Sequence, residues 1–75
     1  MKAKPILVVA RTEDDFAEWK EFHPHLAGQA RRVTRADDFK GLPEGCPIVY
    51  WRRWYDLPES YKISNAAAYC GCSEL

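Results

Sequence analysis

The apolar run Ile6-Leu7-Val8-Val9-Ala10 leaves no polar residue on either side of a pleated strand. A segment apolar on both faces predicts a central strand of a parallel sheet, covered above and below. The period then changes. Thr12 is placed to cap a helix, with Asp15 three residues on as the answering half of a capping box. Phe16, Trp19 and Phe22, with Ala17 beside them, predict a stripe against the sheet, leaving Glu13, Asp14, Glu18, Lys20 and Glu21 to water. His23-Pro24 ends that helix, because the residue before proline disfavours helical backbone.

A loop through Gly28 leads to Ala30-Arg31-Arg32-Val33-Thr34, a more polar strand whose arginines suit a sheet edge. Thr34, Asp37 and Phe39 repeat the arrangement of Thr12, Asp15 and Phe16, so a second, shorter helix is predicted, capped by Thr34 and stopped at Gly41 with Leu42 packing back. Ile48-Val49-Tyr50-Trp51 is the third predicted strand, and Arg52-Arg53 mark its exit to solvent. The intervals between strands are long enough for parallel crossovers. Right-handed crossovers and the apolarity of the first strand favour the order 2-1-3, with a helix on each face.

The expected fold is therefore α/β, a minimal Rossmann-like βαβαβ with a three-stranded parallel sheet over residues 1–54, in one small domain. Residues 55–75 form a tail. In it Asp56-Leu57-Pro58-Glu59 reads as a turn or helix start, and Ser64-Asn65-Ala66-Ala67-Ala68-Tyr69-Cys70-Gly71 as a short helix capped by Ser64 and ended by Gly71.

Composition narrows the function classes. A chain of 75 residues has too little interior for a large enclosed active site. Eleven basic residues balance eleven acidic ones, so no overall field draws the protein to nucleic acid or to an anionic membrane. No apolar run approaches a membrane span or the core of a signal peptide, and three cysteines, Cys46, Cys70 and Cys72, fit reduced thiols; a cytoplasmic protein is expected.

Arg11, Arg35, Arg52 and Arg53 should all emerge near the carboxyl end of the sheet, where α/β folds bind ligands, with Tyr50, Trp51, Trp54 and Tyr55 interleaved around the last pair. Arginine beside aromatic rings serves protein interfaces, and also serves single-stranded nucleic acid or nucleotides. The phosphate version meets repulsion: both predicted helix starts carry their own carboxylates, and no glycine-rich turn follows the first strand. Protein binding through Trp51, Arg52, Arg53, Trp54 and Tyr55, with Arg11 and Arg35, is the expectation, and nucleic-acid or nucleotide binding at the same edge the alternative.

Cys70-Gly71-Cys72 lacks the second knuckle of a zinc site, and three thiols plus a histidine would suffice only if the fold joined Cys46 to the tail, so no metal is expected. His23 and His25 flank a proline and read as a solvated turn, and no nucleophile motif is present. Neither an enzyme nor a cofactor is expected. A small sheet with two open edges further predicts a homodimer.

The strand within residues 1–10, the Thr12-x-x-Asp15 and Ala30-Arg31-Arg32-Val33-Thr34 junctions and the Gly41-Leu42-Pro43 break resemble the small uncharacterised α/β proteins encoded by actinobacterial phages. The resemblance spans residues 6–50. It implies an intracellular accessory protein that binds a host or phage component, and it brings no catalytic residues.

Overall fold

The computed structural model describes residues 4–74; Met1, Lys2 and Ala3 of the amino-terminal stretch and Leu75 of the tail lie outside them. Four parallel strands, β1 (Ile6–Val9), β2 (Ala30–Val33), β3 (Pro47–Tyr50) and β4 (Ser73–Glu74), form one sheet in the order β2-β1-β3-β4. The predicted order of the first three holds. The predicted count does not, because a fourth strand pairs Pro47 with Ser73 and Ile48 with Glu74. Two residues are too few to show alternation in a sequence, and β4 exists only because a helix end delivers it beside β3.

Residues 6–10 are at most 5% exposed, as an apolar segment flanked on both sides demands. Leu7 and Val9 face a cluster with Val33, Phe39, Cys46, Ile48, Leu57, Ile63 and Ala67. Ile6, Val8 and Ala10 face the other way, onto Trp19, with Phe16, Leu26, Val49 and Trp51 around it. The alternation of β1 thus divides the interior into two layers.

Helix α1 (Glu13–Phe22) begins where Thr12 Oγ1 accepts the Asp15 N–H at 3.1 Å. Its stripe is narrower than predicted. Trp19 is buried and Phe16 packs beside it, but Ala17 and Phe22 are exposed, Phe22 by 63%. Each step of three falls about 60° short of a full turn, so Phe22 lies about 120° round the helix from Phe16, which carries the last ring off the sheet.

The second predicted helix is a single 3₁₀ turn, Ala36–Phe39, and Thr34 is not its cap. Instead Asp38 accepts the backbone N–H groups of Thr34 at 2.9 Å and Arg35 at 3.1 Å, while the N–H of Ala36 donates to Glu59 at 3.1 Å. Phe39 is buried as expected, Leu42 packs back, and Gly41 takes φ +78°. So short a turn leaves the layer open, and the tail fills it.

Helix α2 (Ser60–Tyr69) buries Ile63 and Ala67 against that layer. The start at Pro58-Glu59 is the correct one of the two predicted. Ser64 lies inside α2, exposed, because buried Leu57 and the Glu59 bond to Ala36 anchor the helix a turn earlier. Gly71 ends α2 as predicted, at φ +69°, in a Schellman arrangement: the N–H of Cys72 donates to Ala67 O at 3.0 Å and that of Gly71 to Ala68 O at 3.2 Å. No helix among the described residues is long and apolar enough to cross a membrane.

Candidate functional site

In the order β2-β1-β3-β4 the chain leaves β1 for β2 across one face and reaches β3 and β4 across the other. The carboxyl ends of β1 and β3 therefore flank the point where the winding reverses, the usual place for a ligand crevice. Arg11 follows β1, and residues 51–55 follow β3. The Trp51 N–H still bonds Val9 O at 3.0 Å, so both exits are held side by side.

The next residue, Arg52, has φ +55°, in the left-handed region that a branched or bulky side chain seldom enters. Its guanidinium lies 4.9 Å over the Trp51 ring, and its Nε meets Glu18 Oε1 at 2.7 Å. Glu18, predicted for water, is instead the clasp between α1 and this turn.

The left-handed step sends the chain across the end of the sheet. Trp51 belongs to the α1 layer, 6.1 Å from the Phe22 ring and edge-on to His23 at 6.5 Å. Trp54, in the 3₁₀ turn Trp54–Asp56, belongs to the opposite layer and packs on Tyr50 at 4.4 Å. Arg53 Nε meets Asp56 Oδ2 at 2.9 Å, and Arg11 Nη1 reaches the same oxygen at 3.5 Å. Tyr55 is 60% exposed. Arg35 stands apart: it follows β2, on the far side of β1 from β3 and about 10 Å across the sheet.

Arg32 was predicted only as an edge charge. Its Nη2 donates to Arg11 O at 3.0 Å and its Nε to Ala10 O at 3.4 Å, which pins the β1–α1 junction. A strand arginine one period from the edge carries no sequence signal for this. Asp56, three residues after Arg53, did carry one, the ordinary spacing of an ion pair within a turn.

His23 is not a solvated turn residue. It stacks on Trp19 at 4.6 Å with Nδ1 3.0 Å from Trp19 O, a structural role at the end of α1. Among the described residues no group of three or more His, Cys, Asp or Glu side chains is arranged to hold a metal ion. An open depression of about 320 Å³ lies at the opposite end of the sheet, lined by Glu44, Gly45, Ala68, Tyr69, Cys70 and Gly71. It holds no paired acid and base, and it is far from the crossover.

Trp51 Nε1 is enclosed with no acceptor among the described residues. An unmet buried donor costs about 1–3 kcal/mol. Trp51→Phe, which deletes that donor with part of the ring, is therefore expected to change stability by less than about 1.5 kcal/mol, against about 3–5 for a buried tryptophan cut to alanine. Urea unfolding followed by circular dichroism measures it, and a loss near the alanine value would mean that the N–H is bonded.

Comparison with protein-family models, curated proteins and solved structures finds no match.

Proposed function

We propose that this is a protein-binding module on a minimal Rossmann-like frame, with its contact at the carboxyl end of the sheet: Arg52, Arg53 and Tyr55, the half-buried Trp51 and Trp54 beneath them, and Phe22 beside Trp51. One observation carries the reading. Arg52 is paired with Glu18, and Arg11 and Arg53 share Asp56, while Phe22 and Tyr55 stand 63% and 60% exposed beside them.

Paired arginines beside open aromatic rings fit a protein surface, where apolar area and planar donors dominate. A polyanion requires unneutralised cations, and its affinity falls steeply with salt. Here a phosphate would have to displace carboxylates that already hold the guanidiniums, and it would face Glu13, Asp14 and Asp15 in the first turn of α1. The likeness to small phage α/β proteins supports the same class of role, an accessory protein that acts by binding a host or phage component.

The test is affinity capture from a lysate with the purified chain beside Phe22→Ser and Tyr55→Ser, repeated after nuclease and at two salt concentrations. These two residues are exposed, so substitution should leave the fold within about 0.5 kcal/mol of wild type, whereas Trp54 also packs on Tyr50 and would confuse stability with binding. The expected result is a protein retained by wild type, weakened tenfold or more by either substitution and indifferent to nuclease. Capture unchanged by both substitutions would sink the proposal. Capture lost with nuclease or salt would move the assignment to nucleic acid.

A further inference from the structure

The three cysteines, far apart in sequence, come together in the fold. Cys46 immediately precedes β3 and Cys72 immediately precedes β4. The register that sets Pro47 against Ser73 continues back by one residue, with Ser73 N–H donating to Cys46 O at 3.2 Å. Cys46 and Cys72 are thereby neighbours across parallel strands. Such strands run about 4.8 Å apart, inside the range of about 4.4–6.8 Å between α-carbons that a disulfide spans.

Opposed residues of parallel strands project to the same face, and both cysteines pack in the layer with Ile48 and Ala67. Cys72 is held there by the glycine-ended turn of α2, whose bond from Cys72 N–H to Ala67 O fixes where the chain re-enters the sheet. Cys46 is fully buried, and among the described residues its thiol donates one hydrogen bond, to Pro43 O at 3.1 Å, a weak bond that a turn about the side chain would release.

We propose that Cys46 and Cys72 are a thiol pair that closes to a disulfide when a low-molecular-weight disulfide such as oxidised glutathione accepts their electrons. The Cys72 thiolate attacks the reagent's S–S bond and expels one thiolate. The Cys46 thiolate then attacks Cys72 Sγ of the mixed disulfide and expels the second. Two protons and two electrons leave the protein, and one molecule of reagent becomes two thiols.

Cys70 is the bystander. It caps α2 and lines the open depression with Glu44 and Tyr69, and only Gly71, itself committed to the helix end, separates it from Cys72. Closing a ring over those two residues would break the turn that places β4. Burial first, then the Cys46 and Cys70 thiols, raise the Cys72 thiol above its ordinary value, so the attacking thiolate is a minor species in neutral solution and the exchange quickens as the pH rises. The bond would tether β4, the shortest strand, to β3.

The experiment incubates the full chain and the Cys70→Ser variant with oxidised glutathione, alkylates the remaining thiols, and maps the tryptic peptides by tandem mass spectrometry, whose backbone fragments locate the alkyl group within residues 63–75, the peptide that holds both Cys70 and Cys72. The expected wild-type product has one alkylated cysteine, Cys70, and a cross-link from the peptide of Cys46 to that of Cys72. Cys70→Ser should cross-link fully, Cys72→Ser not at all. Closing that long loop should raise the thermal midpoint by roughly 10 °C. A pair that includes Cys70, glutathione adducts without a cross-link, or three alkylated thiols would each overturn the proposal. Cys70→Ser leaves the buried Cys46 and the half-buried Cys72 intact, so its failure to cross-link could not be blamed on misfolding once its circular dichroism matches wild type.

Discussion

Trp19→Ala is expected to cost about 3–5 kcal/mol, and with it most of the population of folded chains. The residue is 2% exposed and packs on Ile6, Val8 and Ala10. It is also the one fully buried side chain of α1, since Phe22 and Ala17 turn outward and Phe16 is half-buried. Removing the indole empties the space between helix and sheet and takes away the ring on which His23 stacks. A domain of this length has about 4–11 kcal/mol in all, so the loss is a large share of the total. Urea unfolding by far-ultraviolet circular dichroism should show a greatly lowered midpoint, with Phe22→Ala, three residues away but 63% exposed, within about 0.5 kcal/mol of wild type. A Trp19→Ala loss below about 1 kcal/mol would mean that α1 does not dock on that ring.

Ile63→Ala tests the other layer. Ile63 is fully buried and belongs to the cluster of Leu7, Val9, Phe39, Ile48 and Leu57, so about 2–5 kcal/mol is expected. Tyr69, on the same helix but 94% exposed, supplies the contrast: Tyr69→Ala should be close to neutral. The consequence reaches past α2. Its turn at Gly71 sets β4 beside β3, so Ile63→Ala should also speed amide hydrogen exchange at Ser73, whose N–H is bonded to Cys46 O. Equal costs for the two substitutions would show that residues 60–69 form a loose tail and not part of the domain.

The frame of the molecule was legible where one local signal stood unopposed. Residues 6–10 could bury both faces only as an inner strand. Thr12 had a helix directly after it to cap, and Gly41 and Gly71 each end an element with positive φ. Other signals had competitors. Thr34 offered a cap, but a carboxylate accepts more strongly than a hydroxyl, and Asp38 reaches two N–H groups at once. Ser64 offered a cap too, and lost to the burial of Leu57 at the earlier start.

The candidate surface divides in the same way. That arginines and aromatic rings gather after β3 could be read from residues 51–55 alone. That Trp51 and Trp54 lie in opposite layers could not, since it turns on one left-handed residue, Arg52. The pairing of Asp56 with Arg53 has the ordinary i,i+3 spacing, but the sequence could not show that Glu18 pairs with Arg52 or that Asp56 also reaches Arg11, because Glu18 lies 34 residues from Arg52 and Asp56 lies 45 from Arg11.

By itself, the sequence determined the parallel α/β architecture, the inner place of β1, the edge place of β2 and the cap of α1, because each follows from periodicity or from hydrogen bonds within a few residues. Only the tertiary structure decided the fourth strand, the docking of α2, the ion pairs at the carboxyl end and the meeting of Cys46 with Cys72. Those contacts join segments far apart in the chain, and their energy is realised only once the sheet has brought the segments within a few ångströms of one another.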